Sequence, residues 1–211
     1  MAMITADPQD VPRVESFAFT PENLEKAKAV MARYPAGRQA SAVIACLDLA
    51  QRQCGGWLPR AAMDHVAGLL DMAPIRVYEV ATFYTMFHLK PRGKYLLQVC
   101  TTTPCWLRGS DAVMKACREV TSAGPGEVSA DGLFTTVEVE CLGACVNAPM
   151  IQINDDFYED LDEASTRRLL EALKRGETPR PGPQIDRQTS APAGGPTTLT
   201  TIPGGAAPRD R

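Results

Sequence analysis

From Pro21 onward, apolar side chains return every three or four positions: Leu24, Ala27, Met31 and Tyr34. That period places them on one face of a helix. Thr20-Pro21-Glu22 is a start signal: a hydroxyl N-cap, proline at the first helical position and an acid in the first turn. Pro35-Ala36-Gly37 ends this helix. A second is predicted from about Arg38 to Gln53, with Val43, Ile44 and Leu47 inward and Gly55-Gly56 closing it. Pro59 opens a third, with Met63, Val66, Ala67 and Leu70 inward. Ala73–Val80 reads as a fourth, with Asp71 as its cap. Four short helices joined by tight turns predict a small helical bundle. It is assigned to residues 18–88, after a loose arm over residues 1–17.

The pattern then changes. Tyr95–Val99 is an apolar run of strand length after the turn Lys90-Pro91-Arg92-Gly93. Ser110 or Asp111 caps a helix to about Val120, with Val113, Met114 and Cys117 as its apolar face. Phe134–Val139 and Met150–Ile153 read as strands. Asn154-Asp155-Asp156 turns the chain into a return strand at Phe157-Tyr158. Ser165–Arg175 closes the segment as a helix with Leu169, Leu170 and Leu173 inward. The order β-α-β-β-α predicts a small α/β layer on a mixed sheet, residues 89–176, and an α+β chain as a whole. Beyond Gly176, residues 177–211 hold seven of the seventeen prolines and few large apolar side chains. Such a segment buries too little surface to offset its ordering entropy, so an irregular tail is expected.

Bulk properties narrow the function. The net charge of −3 offers no basic footprint for nucleic acid. No apolar run approaches the roughly 20 residues of a membrane helix. The first residues carry Asp7, Asp10 and Arg13 with no apolar core, unlike a secretory signal or an arginine-rich transit peptide. A reducing compartment is therefore expected, where disulfides are uncommon. The odd count of seven cysteines also argues against a full disulfide framework.

Four of those cysteines form two tight pairs, Cys100-Thr-Thr-Thr-Pro-Cys105 and Cys141-Leu-Gly-Ala-Cys145. Each follows a strand-like run, so two loops bring two thiolates each. Four thiolates hold zinc or an iron–sulfur cluster. Disulfides, a thioredoxin-type redox pair and structural zinc remain open readings. The redox pair would need Cys-x-x-Cys at a helix start, which neither spacing supplies. Zinc would be expected in a compact ribbon that needs a metal to fold, whereas these pairs hang on a sizeable sheet. The spacing favours a [2Fe–2S] cluster, two thiolates per iron. Gly143 and Ala144 would let the second loop pass close to the sulfides. The segment Cys105–Ser110 leads toward the next helix and brings Arg108.

The stretches Cys-Thr-Thr-Thr-Pro-Cys-Trp-Leu-Arg-Gly (100–109) and Glu-Cys-Leu-Gly-Ala-Cys-Val-Asn-Ala-Pro-Met (140–150) closely resemble a known family. It is that of the thioredoxin-like [2Fe–2S] subunit of respiratory NADH:quinone oxidoreductase (complex I). Gly56-Trp-Leu-Pro59 and Val77–Phe87 also resemble that family's helical segment. The resemblance covers about residues 18–175. It implies a helical bundle followed by a thioredoxin-like domain, with Cys100, Cys105, Cys141 and Cys145 as cluster ligands. It implies a protein that transfers electrons and has no complete active site of its own. Its partners would be the flavoprotein subunit that holds FMN and NADH, and the large iron–sulfur subunit. The chain shows no Gly-rich phosphate loop, in keeping with nucleotide sites elsewhere. The implied location is the cytoplasmic side of a bacterial inner membrane, reached only through the complex. The family also serves NAD-linked formate dehydrogenases and NAD-reducing hydrogenases, and a free-standing ferredoxin is a further alternative.

The remaining chemistry-bearing residues have plainer readings. Cys46 and Cys117 fall within helical patterns, where a free cysteine acts as a small buried hydrophobe, and Cys54 lies nearer the surface. His65 and His88 lack a second ligand at metal spacing. Thr101–Thr103 are placed to hydrogen-bond sulfur. Trp106 either shields a cluster or faces a partner or the core. Arg108, expected at a helix start that disfavours a cation, would there need an anionic neighbour. The aromatic run Phe83–Phe87 reads as packing with a share of partner contact. In the tail, Ile185, Leu199 and Ile202 are candidate apolar anchors. Arg180, Arg187, Arg209 and Arg211 are candidates to meet acidic patches on a neighbouring chain.

Overall fold

The computed structural model describes residues 11–192, 194, 195 and 198. The first ten residues of the expected arm, and Leu199, Ile202, Arg209 and Arg211, lie outside them. Among the described residues the chain divides into two compact units. The first comprises residues up to Leu96 together with Thr121–Val137. The second comprises Leu97–Val120 and residues from Glu138 onward.

The first unit contains four helices: α1 (Pro21–Met31), α2 (Val43–Gln53), α3 (Arg60–Leu69) and α4 (Pro74–Phe83). Thr20 caps α1 as its sequence predicts, its hydroxyl accepting from the Asn23 N–H at 3.3 Å. The helices meet through small side chains. Ala27, Ala50, Ala62, Ala67 and Ala81 are buried among Cys46, Leu47, Val66 and Val77. Alanine at these contacts lets helix axes approach closely while costing no side-chain entropy. Gln51 is buried but satisfied: its Nε2 donates to the Met86 carbonyl at 3.0 Å, and its Oε1 accepts from the His88 N–H at 2.7 Å. Those two bonds fix the turn after α4.

Three boundaries differ from expectation. A 3-10 turn, Gln39–Ala42, precedes α2, so the second helix starts late. Helix α1 stops at Met31, which removes Tyr34 from its inward face and leaves it at the surface. Asp71 ends α3 rather than capping α4. It takes a left-handed conformation (φ 52°), and Met72 N–H reaches back to the Ala67 carbonyl at 2.9 Å. That is the bond of a helix C-terminus, and Asp tolerates the conformation better than most residues. The N-cap position of α4 is then Ala73, without a side-chain bond.

Among the described residues the sheet has five strands: β1 (Tyr95–Cys100), β2 (Phe134–Val139), β3 (Ile151–Ile153), β4 (Asp156–Glu159) and β5 (Gly182–Pro183). Their order is β2-β1-β3-β4-β5. β1 and β3 are antiparallel with Val99 opposite Ile151, β3 and β4 are antiparallel with Ile151 opposite Tyr158, and β4 and β5 are parallel. This is the mixed sheet that the sequence predicts. Just before β1, Gly93 passes against Phe134: a Cβ there would lie 2.5 Å from the Phe134 carbonyl carbon.

In the second unit, α5 (Thr103–Leu107), α6 (Ser110–Thr121) and α7 (Glu163–Lys174) accompany the strands. Helix α6 buries Val113, Ala116 and Cys117, and α7 buries Leu169, Leu170 and Leu173. Asp162 opens α7 through a capping box, accepting from the Ser165 N–H at 2.6 Å while the Ser165 hydroxyl accepts from the Asp162 N–H at 2.8 Å. Arg167 ties the two helices by pairing with Glu119 and with Glu163. No helix among the described residues is long and apolar enough to cross a membrane.

Candidate metal centre

Strand β1 delivers Cys100 at its last residue, with Leu97 and Val99 buried beside it. The chain then turns through Thr101-Thr102 into α5, which carries Cys105. Thr102 at the N-cap position and Pro104 in the first turn start this helix. Sequence periodicity misses it because it is barely one turn long. Cys100 and Cys105 are both buried, in a small cluster with Ala148 and Met150. Leu142, Ala144 and Phe157 pack against that cluster.

The second pair lies after β2. Cys141 and Cys145 are exposed, and their Sγ atoms are 3.4 Å apart. Gly143 between them has φ 84°, a conformation that suits glycine, and its N–H donates to Cys141 Sγ at 3.4 Å. Two sulfurs bound tetrahedrally to one metal at about 2.3 Å stand roughly 3.8 Å apart. The Cys141–Cys145 separation is close to that value. Among the described residues, no group of three or more His, Cys, Asp or Glu is arranged to hold one metal ion. The sulfurs come in twos, as a cluster with two irons requires.

Electrostatics link the two pairs. Burial pushes Cys105 up to about 12, and neighbouring Cys100 and Cys145 add to the shift. Cys100 is also raised by burial, but hydrogen bonds from Thr102, joined by Cys105 and the Leu142 backbone, outweigh this and leave it below an ordinary thiol. Its Sγ lies 3.3 Å from Thr102 Oγ1. Cys141 is lowered, first by the Gly143 N–H and then by Cys145, with Cys100 also contributing. Cys145 is raised by Cys141, with Cys100 adding to the shift. Each pair thus holds one thiolate-prone sulfur beside one that resists ionisation. Bound metal resolves that conflict, because it neutralises the charge that keeps the second proton on. The four residues fit a four-thiolate cluster by donor type, by pairing and by the N–H and hydroxyl donors facing them.

The other sequence candidates have plainer surroundings. Cys46 and Cys117 are buried, and burial pushes them up to about 11 and about 12. Cys54 is half-buried. His65 is packed edge-on by Phe17 and Phe19 at 5.4 and 5.3 Å. His88 is lowered to about 4, by burial and then by Arg92. Arg108 is the C-cap residue of the five-residue α5 and also stands two positions before Ser110, the first residue of α6, as the sequence places it. Trp106 is 57% exposed, which rules out a core role, and Leu107 and Val146 are more exposed still. Trp106 and Leu107 are the two residues after Cys105, and Val146 follows Cys145. In the run Phe83–Phe87 only Phe87 is buried, while Phe83, Tyr84 and Met86 face solvent.

One group carries no sequence signal. Asn147, fully buried in the turn after Cys145, donates through Nδ2 to Asp160 Oδ2 at 3.0 Å and to the Thr189 carbonyl at 2.9 Å. Asp160 pairs with Arg187 at 2.9 Å, and both side chains are 7% exposed. Arg187, a sequence candidate for an acidic patch on another chain, is thus occupied within its own. Gly182 and Pro183 pair with β4, and Gln184 N–H donates to the Glu159 carbonyl at 2.9 Å. Ile185 is largely exposed.

Residues 27–174 match the thioredoxin-like [2Fe-2S] ferredoxin family. The chain is 52% identical to mitochondrial NADH dehydrogenase [ubiquinone] flavoprotein 2 of Dictyostelium discoideum over 194 residues, covering 92% of this chain and 78% of that one. It is 56% identical to an NADH-quinone oxidoreductase subunit of Rickettsia prowazekii over 156 residues, covering 74% and 88%. Among solved structures, an NAD+-reducing [NiFe]-hydrogenase in the air-oxidized state aligns with a TM-score of 0.55 at 22% identity, over 62% of this chain and 23% of that one. At that identity the likeness concerns the fold alone. With the family match spanning most of the chain and relatives above half identity along their length, the chain belongs to the thioredoxin-like [2Fe-2S] ferredoxin family.

Proposed function

We propose that this chain is the electron-transfer subunit of a respiratory NADH:quinone oxidoreductase, and that Cys100, Cys105, Cys141 and Cys145 hold its single [2Fe–2S] cluster. The observation that carries the reading is the meeting of two cysteine pairs: Leu142 and Ala144, from the loop of Cys141 and Cys145, pack against the buried cluster that holds Cys100 and Cys105. The relatives at 52% and 56% identity are named as parts of NADH dehydrogenases, which favours this complex over a hydrogenase matched at 22%.

When bound, such a cluster supplies a one-electron redox centre, with about −2 formal charge when oxidised and one more negative charge when reduced. The chain's residues set its surroundings. The Thr102 hydroxyl and the Gly143 N–H face the sulfurs and oppose the growing negative charge. Ala148, Met150 and Phe157 back the first pair with apolar surface and keep water from it. On the open side, Trp106, Leu107 and Val146 offer apolar area for docking a partner. That partner is the flavoprotein subunit carrying FMN and NADH, with the large iron–sulfur subunit as a second neighbour. The protein then works as a peripheral subunit on the cytoplasmic side of a bacterial inner membrane, held there by the complex.

Purified full-length protein should be red-brown, with about two irons and two acid-labile sulfides per chain. Colourless protein carrying a single zinc would overturn the assignment.

A further inference from the structure

We propose that Arg187 and the chain around it form a strap that fixes the Cys145 turn, making Arg187 a positioning residue for the metal centre. The inference rests on the cysteine assignment above and adds to it a segment beyond residue 174, where the family match ends.

The central ion pair is buried. Arg187 Nη1 pairs with Asp160 Oδ1 at 2.9 Å and points toward the Val146 carbonyl at 3.4 Å. Its Nε donates to the Ala191 carbonyl at 2.8 Å, which curls the strap around the guanidinium. Asp160 passes the constraint on. Its other oxygen accepts from Asn147 Nδ2 at 3.0 Å, and its N–H donates to the Asn147 carbonyl at 2.7 Å. Asn147 Nδ2 also donates to the Thr189 carbonyl, so the strap holds this side chain directly as well. Val146 and Asn147 are the two residues after Cys145, and Cys145–Asn147 form a single 3-10 turn.

The logic is that of outer-shell support. Cys145 is itself exposed, although its neighbours Leu142 and Ala144 touch the buried cluster and Ala148 belongs to it. A thiolate on such a loop leaves its metal whenever the loop opens. A buried ion pair resists that opening when its Nε and Nη1 also meet carbonyls and its second carboxylate oxygen is taken by Asn147. Removing one partner leaves an uncompensated charge at a nearly water-free position. The family motif shows the cysteines; it does not show what steadies the second loop.

The test uses full-length protein with Arg187→Ala, Arg187→Lys and Asp160→Asn. Release of the cluster to excess chelator is followed by loss of visible absorbance, with melting temperature measured alongside. Arg187→Ala should release the cluster roughly tenfold to a hundredfold faster, the usual consequence of losing outer-shell support. Its melting temperature should fall as well, since the Asp160 carboxylate is left unpaired, so release is followed well below the melting transition of every variant. Arg187→Lys should recover part of the retention by keeping the charge opposite Asp160. Should Arg187→Ala fail to fold, the Lys and Asn variants are read in the same way. Release rates within twofold of wild type in these variants would overturn the strap. Iron content of the wild type separates the two claims: protein without iron defeats the cysteine assignment. In that event, amide exchange of residues 146–148 decides the strap, with faster exchange in Arg187→Ala supporting it and unchanged exchange refuting it.

Discussion

Thr102→Val isolates one hydrogen bond at the metal centre. The substitution keeps the β-branched shape and removes the hydroxyl that lies 3.3 Å from Cys100 Sγ. Thr102 makes no side-chain capping bond to α5, so the helix loses nothing directly. Cys100 is buried, and water cannot readily replace the lost partner. A neutral hydrogen bond is worth about 1 kcal/mol net, and one to a charged acceptor somewhat more. Only the part that strengthens on reduction moves the potential. One kcal/mol corresponds to roughly 40 mV for a one-electron couple. The variant should therefore shift its midpoint potential negative by about 20–40 mV, because the more negative reduced state loses more from a missing donor. Thr102→Ser, which keeps the hydroxyl, should stay near wild type. The assay is a redox titration of full-length protein followed by the electron paramagnetic resonance of the reduced cluster. A potential for Thr102→Val equal to that of Thr102→Ser would refute the reasoning.

Other substitutions address separate claims. Replacing Cys100, Cys105, Cys141 or Cys145 singly by alanine should abolish or sharply weaken the visible cluster spectrum, whereas Cys46→Ala and Cys117→Ala should preserve it. Below pH 6.5, unfolded His88 gains a proton that the folded chain refuses until about pH 4. Stability should thus fall as pH drops through that window, by up to about 3 kcal/mol at one histidine, and His88→Gln should flatten the dependence in urea melts. Gly93→Ala must push a Cβ into Phe134 backbone atoms 2.5–2.8 Å away. Backbone has no flexible end to yield, so a loss of roughly 2 kcal/mol or more is expected in the same melts.

The helices of the first unit are legible in the sequence because their apolar faces are periodic and their ends carry caps, as at Thr20. The strands are legible as short apolar runs, and β1 and β2 lie where those runs predict. What escapes is local competition between neighbouring signals. Asp71 carries both an N-cap side chain and a tolerance for left-handed backbone, and the structure uses the second. Thr102-Thr103-Pro104 is a helix start, yet five residues give no period to detect. That short helix gives Arg108 a second role, as the C-cap of α5 directly ahead of α6.

The centre itself is half legible. Two cysteine pairs name a four-thiolate donor set from sequence, because ligand identity is written in the residues. The support around them is not. Asp160 and Arg187 are 27 positions apart, on either side of α7, and nothing periodic relates them. Composition even argues the other way: a proline-rich stretch with few apolar side chains is expected to bury little. Yet a single guanidinium can be buried without apolar area when a carboxylate and two carbonyls meet its N–H groups. Proline helps here, because a chain already short of conformational freedom loses less on being laid along β4. The entropy argument that marks residues 177–211 as an irregular tail therefore does not settle what residues 182–191 do. A truncation after Gly176 removes β5, Arg187 and the Thr189 carbonyl together. It should destabilise the Cys145 turn rather than only weaken attachment to a complex, and cluster release from the truncated chain should match that of Arg187→Ala. Retention equal to the full-length protein would mean that the turn is held by Asp160 and Asn147 alone.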